Sequence, residues 1–170
     1  MRITTMRLAG AAVIGVLAAV SPTAASAAGA ATPGSEQVRA DSGARSVWMT
    51  IHNNTSCGLE LVESGLDHGE WSNWAGVTSP APYVYRNNTA QMGAEAASPS
   101  LFTGTEGHAT YRTYGCYDGA KNNRVVRLYW DNPYVGSNSY NTDGTDVAFA
   151  ASHTGGSGDV AYVDYWVQDR

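Results

Sequence analysis

Rings with polar tips dominate two stretches of this sequence. Leu66 to Gly76 (LDHGEWSNWAG) carries Trp71 and Trp74, and Leu128 to Tyr140 (LYWDNPYVGSNSY) carries Trp130, Tyr134 and Tyr140. Asp131, Asn132 and Asn138 add polar ends to the second stretch, and Pro133 and Gly136 fix its backbone. Exposed aromatics are costly to keep in water unless a partner covers them, so a loop of this kind reads as a recognition surface. The ring quadrupole attracts cations, which suits choline- or ethanolamine-type head groups with an acid nearby. Sugars stack on the same rings, so lipid head group and carbohydrate both remain open from these residues.

Catalytic patterns are missing. No G-x-S-x-G elbow is present, and His52, His68, His108 and His153 lie far apart without H-x-H or H-x-x-x-H spacing. Glu70 and Glu106 are carboxylates of the kind that pair in glycoside hydrolysis, and nothing in their spacing sets their geometry. Asn141 to Asp146 (NTDGTD) lacks the acidic 1-3-5 pattern and the distal Glu of a calcium loop, so it reads as a hairpin turn. The expectation is a binding protein with no cofactor and no metal, not an enzyme.

What surrounds these residues sets the compartment. Arg2 and Arg7 precede the apolar run Leu8 to Val20, 13 residues long, and Ala25-Ser26-Ala27 matches a small-x-small cleavage site. That run is too short to span a bilayer core of about 30 Å as a helix. Residues 1–27 are therefore expected to be a cleaved secretory signal, residues 28–44 a disordered leader, and 45–170 one domain in a secreted, extracellular protein. Without the signal, eight basic residues face fifteen acidic ones, a net charge of −7, and Lys121 is the sole lysine. Nucleic acid and anionic lipid both need Lys/Arg clusters, so neither is expected as a partner. Cys57 and Cys116 are an even pair in an oxidising compartment and are expected to form one disulfide.

The elements that must position the rings are strands. Ser46 to Asn53 alternates, with Val47, Met49 and Ile51 on one face and Trp48, Thr50 and His52 on the other. Gly58 to Glu63 resumes that pattern after the turn cluster Asn53–Ser56, so the two predict a hairpin. His52 is expected to meet a cross-strand partner. Gly104 to Gly107 (GTEG) reads as a turn before a strand over Ala109 to Tyr114. Arg124 to Trp130 is a strand, and Thr145 to Ser152 and Asp159 to Gln168 are two closing strands, the last expected mid-sheet. After the leader no segment of useful length has helical periodicity. The fold class is therefore all-β, an antiparallel β-sandwich of about 7–9 short strands in a single domain.

The Asn-rich turn, the His-Gly-Glu-Trp loop, GTEG before a Tyr-bearing strand, and Tyr129-Trp130-Asp131-Asn132-Pro133-Tyr134 together resemble the aegerolysin family over about Arg45 to Gln168. The resemblance implies recognition of membrane lipids, sphingolipid-type head groups in particular, in some members with sterol. It also implies a perforin-like partner protein for any cytolytic or haemolytic action. Glu106 matches the acidic residue of the family's E-G turn that contacts lipid, and Trp130 and Tyr134 match the aromatics of its W-D-x-P-aromatic motif. His68 departs from the Trp that some members carry there. A secreted, lectin-like carbohydrate-binding sandwich is the alternative.

Overall fold

The computed structural model describes residues 45–97 and 103–170; the expected signal and leader lie outside the described residues. Burial alternates most regularly over residues 105–114, 125–132 and 160–169. In β1 (Ser46–Asn54) the side chains of Val47, Met49 and Ile51 are buried. The chain continues through β2 (Gly58–His68), β3 (Glu70–Trp71), β4 (Tyr83–Val84), β5 (Asn88–Glu95) and β6 (Thr105–Tyr114). It closes with β7 (Val125–Asn132), β8 (Ser139–Asn141), β9 (Phe149–Gly155) and β10 (Val160–Asp169). The one helical piece among the described residues is a 3-10 turn at Gly119–Lys121.

Two five-stranded sheets face each other, ordered β3-β5-β1-β10-β9 and β4-β2-β6-β7-β8. All pairings are antiparallel except β1 with β10, which run parallel with Ser46 opposite Val160 and Met49 opposite Val163. β10 does lie mid-sheet, between β1 and β9. Only its odd face (Ala161, Val163, Tyr165, Val167) is buried, while Tyr162 and Trp166 stay partly exposed. The core joins these residues to Leu59, Tyr111, Val126, Leu128, Trp130 and Phe149.

Two hairpin expectations are corrected. β1 and β2 belong to different sheets, and so do β8 and β9, so both turns carry the chain across the sandwich. The reason at the first is Asn53, which is buried rather than at a turn surface. Its amide donates to the carbonyls of Cys57, Val84 and Tyr85, and its carbonyl oxygen accepts from Thr55, so the turn is tied into the opposite sheet. At the second, Asn141 to Asp146 is a turn, with the Asp143 N–H bonded to the Asn141 side chain and Gly144 at φ +88°.

Buried polar ties close both ends. At one end Asn132, fully buried on β7, donates to Ser46 O at 3.0 Å and Asp159 O at 2.9 Å, the carbonyls that start β1 and precede β10. At the other end Cys57 and Cys116 are bonded. There Lys121 Nζ meets Asp169 at 2.8 Å, and Ser56 N–H donates to the same carboxylate. His52 finds its expected partner, Asp164 on β10 at 2.7 Å, and stacks on Trp166 at 3.8 Å.

Two outcomes are expected in urea unfolding. Asn132→Ala removes two buried hydrogen bonds that tie the sheets together and should lower stability by about 1–3 kcal/mol. Reducing the Cys57–Cys116 bond opens a loop of 59 residues and should cost about 4 kcal/mol.

Candidate functional site

Two sequence motifs interlock on neighbouring strands. β6 and β7 pair with Thr105 opposite Asn132, Glu106 opposite Asp131 and Gly107 opposite Trp130. A Cβ at Gly104 would stand 2.3 Å from Asn132 O, and one at Gly107 would stand 2.7 Å from Trp130 Cζ2. The two glycines of GTEG are thus the clearances that let the W-D-N-P segment lie alongside. The expectation of a turn there is corrected: Glu106 lies within β6, one residue after its start, on the outward face.

That outward face gathers charge. Glu106 Oε1 accepts from the Tyr129 hydroxyl at 2.5 Å, and its other oxygen lies 3.8 Å from His68 Nε2. His68, Glu106, Asp131 and Ser139 form one row across β2, β6, β7 and β8. Burial and the facing Glu106 charge push the Asp131 carboxyl above the usual carboxylate range, while His68 acts against this. Tyr129 is pushed up too, first by burial and then by its bond to Glu106, with Asp131 and Asp67 adding to it. The phenol therefore stays protonated and acts as a donor to Glu106. Chemically, the cluster is a partly desolvated pair of carboxylates that favours a cation.

The other expected residues divide. Trp130 is fully buried on the inner face of the sheet, opposite Gly107, and presents no contact face. Trp71 is half-buried and packs on Trp130, with centroids 5.7 Å apart. Tyr140 pairs with Trp130 across β7 and β8, is half-buried, and has its phenol pushed up to about 12 by burial. Tyr134 sits beyond β7, partly exposed, with the Arg45 guanidinium 5.6 Å from its ring centre and bonded to its carbonyl at 2.7 Å. Trp74 lies in the loop after β3, bridged to Val77 and held through Ser72 Oγ. Trp71, Trp130, Tyr140 and Glu106 are thus brought to one end of the sandwich, with Tyr134 in the loop leaving it.

Sequence reasoning passed over Tyr129 and Asp131 as site residues. Their signal was phase: both alternate against buried Leu128 and Trp130, so both must face outward beside Glu106. It also passed over Arg45 and His153. With Asn138, Ser139, Tyr140 and the Gly155–Asp159 turn, they line a shallow cleft of about 720 Å³ between the edge strands β8 and β9. Asn138 holds that turn by donating to Gly156 O and Gly158 O, both at 2.9 Å.

A family model described as Aegerolysin matches residues 44–170. No curated protein matches the chain. Among solved structures, RahU protein in complex with a TRIS molecule is 14% identical with a TM-score of 0.59, covering 75% of this chain and 96% of that one. IP-1A from Alcaligenes faecalis is 20% identical with a TM-score of 0.52, covering 79% and 98%. The lipid binding protein Nakanori is 14% identical with a TM-score of 0.55, covering 74% and 71%. At these identities the three share the fold.

Asp131 carries a stability prediction. Its folded pKa lies above the unfolded one, so the penalty on its charge is absent in acid and grows as pH rises through the folded value. Asp131→Asn should therefore stabilise the domain at pH 7 by roughly 0.2–1 kcal/mol, as expected for like charges directly opposite on paired strands. The gain should vanish in thermal melts below about pH 4.

Proposed function

The chain belongs to the aegerolysin family, and on that premise we propose that it is a membrane-lipid-binding protein that reads a cationic head group with Glu106 and Asp131. The observation that carries this is the facing carboxylate pair on the outward side of β6 and β7, held by Tyr129 and flanked by His68. A small ammonium with N–H donors would satisfy both carboxylates and relieve their repulsion. Trp71, Trp74, Tyr134 and Tyr140 would cover the apolar part of the ligand at the same end, and buried Trp130 would pack behind them in the core. The ligands proposed are sphingolipid-type head groups, alone or together with sterol, met outside the cell by a binding protein and not by a catalyst.

Cytolysis is proposed to need a perforin-like partner. Strand length does not supply the reason: β1, β2, β6 and β10 are 9, 11, 10 and 10 residues long, enough for a barrel strand. The reason is pairing. β1, β2, β6 and β10 each lie between two neighbours, so freeing one to insert would break two ladders at once.

A second reading, a lectin-like carbohydrate-binding module, is favoured by one observation. The cleft between β8 and β9 is lined by Ser, Asn, Tyr and His side chains of the kind that bond sugar hydroxyls.

Flotation with vesicles that differ only in head group tests the leading reading. Binding to phosphoethanolamine-headed sphingolipid vesicles is expected, with Glu106→Gln weakening it by about tenfold or more through loss of a charge-assisted contact. Binding to a glycan array with all vesicles ignored would sink the lipid reading and favour the cleft.

A further inference from the structure

The three most exposed aromatic rings among the described residues lie away from the Glu106 end. Tyr83, Tyr85 and Tyr117 are 48%, 64% and 78% exposed. Tyr83 and Tyr85 flank inward-facing, buried Val84, so both stand on the outward side of the sheet that holds β6. Tyr83 is opposite Glu60 on β2, and Glu60 is opposite Arg112 on β6. Next to that row, Gly58 is opposite Tyr114, and a Cβ on Gly58 would stand 2.4 Å from Tyr114 Cζ. The missing side chain is what lets the Tyr114 ring lie down over β2. Tyr83 meets that ring edge-on, with centroids 6.0 Å apart, and its hydroxyl points to Glu60 at 3.4 Å.

Charge flanks the rings on both sides. Glu60 is the acid of the cluster. Arg86 stacks on Tyr117 at 4.4 Å and donates to Gly115 O at 3.0 Å, which fixes the guanidinium at the rim. The burial of the Tyr114 phenol, together with the fields of Tyr85, Tyr83 and Glu60, pushes its pKa up against an opposing Arg86, so all five groups are electrostatic neighbours.

We infer that Tyr83, Tyr85 and Tyr114 form a second head-group site, which takes the phosphocholine group of a membrane lipid. The quaternary ammonium lies against the rings beside Glu60, and the phosphate lies at Arg86. A quaternary ammonium has no N–H to give to a carboxylate pair such as Glu106 and Asp131, and aromatic faces are the surface that attracts it. The rings are tyrosines, whose apolar body and polar tip suit the membrane–water interface. The acidic domain has no cluster of basic residues for anionic lipid, so zwitterionic lipid is the surface its charge permits. Glu106 and Tyr114 lie on the same outward face of β6, eight residues and roughly 26 Å apart. One bilayer can therefore meet both sites when that sheet lies against it.

This inference rests on the membrane reading above, and its test separates the two. Soluble phosphocholine is titrated into the full chain while the tyrosine ring resonances are followed, and partition onto phosphatidylcholine and sphingolipid vesicles is measured for the wild type and for Y83A/Y85A. Both changed rings are exposed, and a thermal melt confirms that the variant is folded. The expected result is shifts at Tyr83, Tyr85 and Tyr114, and a loss of about tenfold in partition onto phosphatidylcholine for the double variant. Absent ring shifts, or a double variant that binds phosphatidylcholine as the wild type does, overturn the site while leaving the Glu106 reading intact. Ring shifts without any wild-type partition onto phosphatidylcholine overturn the membrane lipid as the source. Wild type that ignores every vesicle sinks the Glu106 reading itself.

Discussion

A single side-chain amide holds the site end of this sandwich together. Asn132 reaches from β7 to the opposite sheet and bonds the carbonyls of Ser46 and Asp159. These two carbonyls lie side by side because β1 and β10 are parallel, so both strands start at the same end. One buried donor group can then serve both, and the Ser46 N–H closes the set by donating to Asp159 O. Pro133 and Tyr134 leave directly from this tie, and Arg45 enters beside it, bonded to Asp159 at 2.7 Å. The aromatic loop therefore hangs from a rigid point and does not rely on its own packing for its place.

The same end concentrates features that cost stability. Two carboxylates face each other on paired strands, a phenol is kept protonated next to them, and two glycines are needed where any Cβ would collide with Asn132, Gly65 or Trp130. Folding alone gives no reason to place Glu106 opposite Asp131, because like charges in register weaken a sheet. A ligand that neutralises them would recover that cost on binding. The opposite end has the reverse character: a disulfide and the Lys121–Asp169 pair, whose Asp carboxyl is held below its usual range by Lys121 and Ser56 against the effect of burial.

Alternation made the long strands legible: Val47, Met49 and Ile51 inward, and Trp130 in phase with Val126 and Leu128. It could not reveal which sheet a strand joins, because a turn cluster such as Asn53–Ser56 looks the same whether it closes a hairpin or crosses the core. The deciding fact is that the Asn53 amide faces inward, a three-dimensional property. The GTEG motif marked Glu106 in the sequence, but its neighbours were not legible, since Asp131 and Tyr129 come beside it only through the β6–β7 register. The tyrosine platform was the least visible. It depends on Gly58 being empty beneath Tyr114 and on a two-residue edge strand, and neither has a periodic signature.

The parallel pairing of β1 with β10 also gives the domain a polarity along its length. The chain enters at Arg45 beside Tyr134 and leaves at Arg170, whose carbonyl is held by Lys121 near the disulfide. Anything joined ahead of Arg45 begins next to the Glu106 end, and anything joined after Arg170 begins far from it. A tether or label on the carboxyl terminus would leave the carboxylate pair uncovered, whereas one fused directly ahead of Arg45 would crowd it. For this sandwich, the choice of attachment point is thus also a choice of which end is presented to a surface.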